Sequence, residues 1–225
     1  MDAHAVRPYL AGMTDTPTES VPGGYPARLE IDYPEGERNW ITCFFRPIVV
    51  IPIAIVLGLL SGGNKWGKSS DVSVGISGSI FLAIVLMLVF RRKYPRWWFD
   101  WNLELTRFGL RVASYLALLR DEYPSTDDHQ AVYVEIPYPD AAQDLNRWLP
   151  LVKWLLAIPH YIVLAFLGIA AVMCVIVAWF AILLTGTYPR QLFDFVVGVL
   201  RWGLRVSAYA FLLTTDRYPP FSLAP

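Results

Sequence analysis

The sequence predicts a mostly helical integral membrane protein assembled as a tandem repeat, each unit comprising a short strand, a transmembrane helical hairpin and an interfacial amphipathic helix. Three observations lead there. The 225 residues are 55% hydrophobic and 15% aromatic, with a mean hydropathy of +0.41, more apolar than an ordinary soluble domain. The excess is gathered into runs almost free of charge, Pro47 to Leu60, Val72 to Phe90 and Trp154 to Tyr188, and about 20 mostly apolar residues cross a bilayer core. The stretch from Tyr94 to Pro124 also recurs from Tyr188 to Pro219, aligning without a gap as far as Tyr115 and Tyr209.

Residues 1–24 are rich in Pro, Thr, Gly and Asp and lack an apolar signal-peptide core, which predicts a disordered cytoplasmic tail. The first unit, residues 25–124, opens with Arg28 to Pro34, where apolar and charged residues alternate and proline stops the run. That pattern predicts a half-buried strand. A first span follows over about 40–60, with Trp40, Phe44 and Phe45 at the interface, Arg46 snorkelling and Ile51-Pro52 as a kink. The polar, Gly-rich Ser61 to Lys68 turns the chain into a second span over about 74–90, closed by Arg91-Arg92-Lys93.

After the aromatic cluster Trp97-Trp98-Phe99, a helix over about 97–119 places Asp100, Glu104, Arg107, Arg111 and Ser114 on one stripe, since their spacing alternates between four and three. A charged stripe on an aromatic-anchored helix suits the membrane interface. The polar linker Asp121 to Gln130 then separates the units.

The second unit, residues 131–221, repeats the strand: Val134, Glu135, Ile136, Tyr138 and Pro139 match Leu29, Glu30, Ile31, Tyr33 and Pro34. The two strands are expected to pair, because a lone strand is seldom stable. Lys153 matches Arg46, and Ile158-Pro159 matches Ile51-Pro52. The apolar run after Lys153 is too long for one straight crossing of a core roughly 30 Å thick. It reads either as two spans, about 148–167 and 169–185, turning near Gly168, or as one long kinked helix. The hairpin is the favoured reading, because it keeps Arg147, Lys153, Arg190, Arg201 and Arg205 on the cytoplasmic side with the basic residues of the first unit. A closing amphipathic helix over about 192–214 repeats the stripe as Asp194, Gly198, Arg201 and Arg205.

The duplicated strand, Ile-Pro-His at 158 to 160, the run Thr185 to Trp202 and Asp-Arg-Tyr-Pro-Pro-Phe at 216 to 221 carry a resemblance. Over roughly Tyr25 to Leu223 the chain resembles a family of uncharacterised bacterial integral membrane proteins of actinobacterial type, defined only by a tandem domain of unknown function. The first copy is looser, with Glu104 and Thr106 where the second has Gly198 and Leu200. The resemblance implies a bacterial inner-membrane protein and transfers no catalytic residue.

Candidate binding residues are the cations. Arg107 with Arg111, and Arg201 with Arg205, form two matching basic patches suited to anionic lipid or an acidic partner. The plainer reading pairs them with Asp100, Glu104 and Asp194 along the same helices. Arg46 and Lys153 could grip a headgroup phosphate, although a position near a helix end also explains them. Arg92 and Arg190 flank the apolar runs as further lipid contacts. His160 gives one ligand where metal sites need several; His4 and His129 lie in polar segments, and Asp127-Asp128-His129 reads as solvated. Cys43 and Cys174 read as small buried hydrophobes. No catalytic constellation or phosphate-binding loop is found.

The expected function is therefore that of a non-enzymatic inner-membrane scaffold or accessory subunit, multi-pass, with a cytoplasmic N-terminus. It needs no cofactor and contacts lipids, other membrane subunits or itself. Net charge is zero and suggests no nucleic acid partner. The rival is a small transporter or channel, because internal repeats often build such proteins.

Overall fold

The computed structural model describes residues 24–34, 43, 45–46, 48–53, 55, 84–125, 130–141 and 143–224. The expected tail up to residue 23, the Ser61 to Lys68 loop, most of the second half of the first expected span, the start of the second, and Asp127-Asp128-His129 lie outside these residues.

The two strands form one antiparallel ribbon. β1 (Arg28–Ile31) pairs with β2 (Val132–Glu135), with Leu29 opposite Val134, Arg28 opposite Glu135 and Glu30 opposite Tyr133. Alternation along a strand sends Leu29, Ile31, Val132 and Val134 inward, and leaves Arg28, Glu30, Tyr133 and Glu135 exposed. Both strands are shorter than the sequence suggested. Tyr33 and Tyr138 lie beyond them, where their hydroxyls donate to the carbonyls of Tyr188 and Tyr94.

Two long amphipathic helices follow the Tyr-Pro pairs. α1 (Arg96–Leu116) starts after Pro95, with Phe99 N–H donating to Pro95 O at 3.1 Å. The same turn opens the later helix Arg190–Ala210, where Phe193 N–H donates to Pro189 O at 3.1 Å. Proline fixes its own φ and keeps the preceding residue extended, so it sets the start of each helix. Beyond their ends, Leu118 (φ 60°) and Leu213 (φ 57°) turn the chain through left-handed conformations.

Between the ribbon and the last helix, the expected span over 148–167 is divided. Residues Leu149–Leu151 form a 3-10 turn around Pro150, α2 (Lys153–Leu156) is a single turn, and α3 (Ile158–Thr185) begins at Ile158-Pro159. The favoured hairpin is then overturned, because α3 is one continuous helix of 28 residues, about 42 Å long. Gly168 is its only candidate turn residue, flanked by Leu167 and Ile169. A lone Gly costs a helix only about 1 kcal/mol, whereas a turn inside an apolar run leaves backbone groups without partners. α3 ends at Gly186, whose φ of 70° suits glycine and whose N–H donates to Ile182 O at 2.8 Å. α4 (Arg190–Ala210) completes the order.

The main core joins Leu29, Ile31, Val132 and Val134 of the ribbon to Leu88, Phe99, Ile182, Phe193 and Val197. A satellite core sets Val50 and Ile53, in the helical residues between 43 and 55, against Phe108, Val112 and Tyr115 of α1. Another sets Ala157 against Trp202, Val206, Tyr209 and Ala210 of α4. Among the described residues α3 is the one helix long and apolar enough to cross a membrane, with a mean hydropathy of 2.8. Cys43 is buried and Cys174 half-buried, and neither is in a disulfide.

Candidate functional site

The stripe arginines face the ribbon, and they do so crosswise. Arg201 on α4 donates from Nε to Leu29 O of β1 at 3.1 Å. Arg107 on α1 donates from Nε and Nη2 to Val134 O of β2, each at 3.4 Å. Leu29 and Val134 are also Cα partners in the ribbon, so the two guanidinium groups bond carbonyls at its centre. The expected i,i+3 pair is present as well, Arg107 Nη1 to Glu104 Oε1 at 2.5 Å. Around Arg201, burial lowers the pKa while the charges of Glu30 and Asp194 oppose that shift.

One helical turn further on, each arginine bonds the segment that leaves its own helix. Arg111 Nη1 donates to Ser125 O at 2.6 Å, and Arg205 Nη2 donates to Ala224 O at 2.8 Å. Arg190 lies 3.6 Å from Asp194 on the exposed surface and 4.5 Å from the Tyr33 ring centroid. Arg96 takes the corresponding place over Tyr138, at 5.6 Å.

Arg46 and Lys153 are placed inside the protein. Arg46 is 2% exposed and Lys153 is fully buried. Lys153 Nζ meets Asp216 Oδ1 at 2.7 Å and donates to Thr215 O at 2.8 Å, with the Tyr209 ring centroid 5.3 Å away. Arg46 ion-pairs with Asp121, donates from Nη1 to Tyr115 O and Arg120 O at 3.2 and 2.9 Å, and lies 4.5 Å from the Tyr115 ring centroid. Burial pushes the Lys153 pKa down, and the hydrogen bond and charge of Asp216 push it back. A buried cation held by a carboxylate and backbone carbonyls has its donors directed inward, which removes both residues from the set of headgroup contacts.

Of the eight cations singled out by sequence, Arg107, Arg111, Arg201, Arg205, Arg46 and Lys153 bond the protein itself. Arg92 and Arg190 are exposed. Arg92 follows the helical residues 84–91 with a φ of 51°. Asp100 lies exposed on α1. The carboxylates missed by the sequence reading are Asp121 and Asp216. Their signal was present: each opens an Asp-x-Tyr-Pro run, Asp121 to Pro124 and Asp216 to Pro219, just after a stripe helix.

His160 is packed among aromatics. Its ring stacks on Phe221 at 4.0 Å between centroids, with Tyr218 at 4.8 Å and Trp202 at 5.8 Å. Neither ring nitrogen has a hydrogen-bond partner among the described residues. No group of three or more His, Cys, Asp or Glu able to hold a metal ion occurs among the described residues.

Among the described residues, large apolar side chains open to the surroundings include Phe45, Ile48, Ile51, Ile55 and Phe90 before α1 and, over the longest stretch, the outer face of α3. Ile162, Phe166, Ile169, Met173, Phe180 and Leu184 are exposed along its length, with no Asp, Glu, Lys or Arg between Ile158 and Thr185. A contiguous apolar surface of this kind marks a protein or membrane interaction site.

These features define a mostly helical protein in which, among the described residues, one helix is long and apolar enough to cross a membrane. Residues 148–222, from just before α2 into the C-terminal segment, match a domain of unknown function (DUF4389). No curated protein and no solved structure matches the chain.

Proposed function

We propose that the protein is a non-enzymatic scaffold or accessory subunit of the bacterial inner membrane, made of two copies of one unit related by a local two-fold axis. The observation that carries this reading is the division of labour among side chains. The stripe arginines and the buried cations hold the fold together internally, while the outer face of α3 is left as a wide apolar surface. That distribution supports contact through hydrocarbon, with lipid chains or with an apolar surface of another membrane subunit or a second copy.

The two-fold arrangement has its own support. Leu29 and Val134 hold the same place in the two sequence copies and are each other's ribbon partners. Exchanging the copies turns the pair Arg28–Glu135 into the pair Tyr133–Glu30, which is also present. The crossed arginines, the crossed tyrosines and the two cation–carboxylate pairs obey the same exchange.

Native purification from membranes followed by mass spectrometry tests the accessory role. A stoichiometric membrane partner or a stable self-assembly is the expected result, and a protein that is always a lone chain would overturn it.

A further inference from the structure

We propose that α3 lies along the membrane surface, embedded in one leaflet with its outer face among lipid acyl chains, instead of crossing the bilayer. This rests on the membrane reading above and adds an orientation to it.

The argument comes from three elements with nearly parallel axes. α3 and α4 are antiparallel neighbours at both ends. At one end the short link Gly186 to Pro189 joins them. At the other, Ala157 packs against Trp202, Val206, Tyr209 and Ala210, and Tyr161 lies 6.0 Å from Phe211 between ring centroids. The β1 chain runs along α4 in the same way. Tyr33 meets Tyr188 and Phe193, Leu29 meets Arg201, and the Tyr25 hydroxyl donates to Arg205 O and Arg217 O at 3.2 Å each. The extents agree: Tyr25 to Tyr33 is about 26 Å of extended chain, and Tyr188 to Arg205 is about 25 Å of helix.

An α3 standing upright in a bilayer would therefore stand the ribbon upright beside it. Arg28, Glu30 and Glu135 on the exposed ribbon face would then enter hydrocarbon. Charge is excluded there, since lipid offers it no hydrogen bonds. Laid flat, the same three elements give a slab that is apolar on its α3 side and charged on its ribbon side. One face dissolves in acyl chains and the other stays in water, as in interfacial amphipathic structures. The flat arrangement also keeps Lys153 and Arg190, at opposite ends of α3, on one side of the membrane without a turn at Gly168.

The test uses the full chain in sealed vesicles of phosphatidylethanolamine and phosphatidylglycerol, with Cys43 and Cys174 replaced by Ala. Single cysteines are placed by Trp154→Cys, Gly168→Cys and Thr187→Cys, all clear of the ion pairs. The expected result is that a membrane-impermeant maleimide labels Trp154→Cys and Thr187→Cys from the same side. Gly168→Cys should be labelled from neither side, and a probe there should be quenched more by a shallow acyl-chain quencher than by a deep one. Ends labelled from opposite sides, or Gly168→Cys labelled from the far side, would overturn the proposal. Oriented circular dichroism of the unsubstituted protein in aligned bilayers gives a second reading. In-plane helices are expected, and a predominantly upright signal would refute the orientation. Release of the protein from vesicles by alkaline wash would instead overturn the membrane reading itself.

Discussion

α1 and α4 are written in nearly the same code and end up in different surroundings. Both run 21 residues from a Tyr-Pro pair, and both lead into a leucine of left-handed conformation. Yet α1 buries Phe99, Phe108, Val112, Ser114 and Tyr115, whereas α4 also buries most of the face from Val196 to Ala210, Arg205 included. Ala157, Tyr161, Leu164 and Leu167 cover Trp202, Val206, Tyr209 and Ala210 of α4, and one further position adds to the difference. A Cβ on Gly198 would meet Leu223 Cβ at 2.9 Å and Leu223 O at 3.0 Å, so glycine lets the C-terminal segment lie directly on α4. The matching position in α1 is Glu104, exposed and paired with Arg107. The local signals fix the two helices alike; what covers α4 is α3 together with the C-terminal segment, and Gly198 admits the second of these.

The largest effect should separate the two buried cations. Lys153 is fully buried and Asp216 is 22% exposed, while Arg46 pairs with a carboxylate 43% exposed. Removing one partner of a buried pair leaves an uncompensated charge, so Asp216→Ala should cost about 3–5 kcal/mol of stability. Asp121→Ala leaves Arg46 its two backbone acceptors and should cost about 1.5–3 kcal/mol. Thermal unfolding of the purified protein in detergent checks both, and equal losses would erase the distinction between the units.

Gly198 supplies the next test. Gly198→Glu forces a large side chain into the contact with Leu223, at a cost of about 3 kcal/mol, and should make the C-terminal segment sensitive to protease. Glu104→Gly, the reverse exchange, removes helix propensity and an exposed pair with Arg107, together about 1–1.5 kcal/mol. A Gly198→Glu protein with a protected C-terminus would show that glycine does not set the difference.

Much of this arrangement was legible in the residues, because it is written in local chemistry. Three-and-four spacing marked the stripes, and alternation around Leu29 and Val134 marked strands that needed each other. The direction of the stripes was not legible. Spacing says that Arg201 and Arg205 share a face, but the carbonyls they meet belong to residues as unremarkable as Leu29 and Ala224, and a backbone acceptor leaves no mark in sequence. The continuity of α3 was obscured for a different reason. Hydropathy measures how much chain is apolar and says nothing about its direction, so a long helix and a hairpin give the same profile.

The smallest effects concern the crossed arginines, where the two units again should differ. Arg201→Gln removes a charged donor from Leu29 O beneath a covered part of α4 and should cost about 1.5 kcal/mol, the lower end for hydrogen bonds to charged groups. Arg107 makes longer bonds to Val134 O and shares its charge with Glu104 in solvent, so Arg107→Gln should cost about 1 kcal/mol or less. Unfolding temperatures rank the two variants, and a centrifugal assay on vesicles containing phosphatidylglycerol supplies the decisive second reading. Because both guanidinium groups point at the ribbon, retention on the vesicles should be unchanged by either substitution. A loss of retention without a loss of stability would return the basic stripes to the lipid and leave the crossed bonds as bystanders.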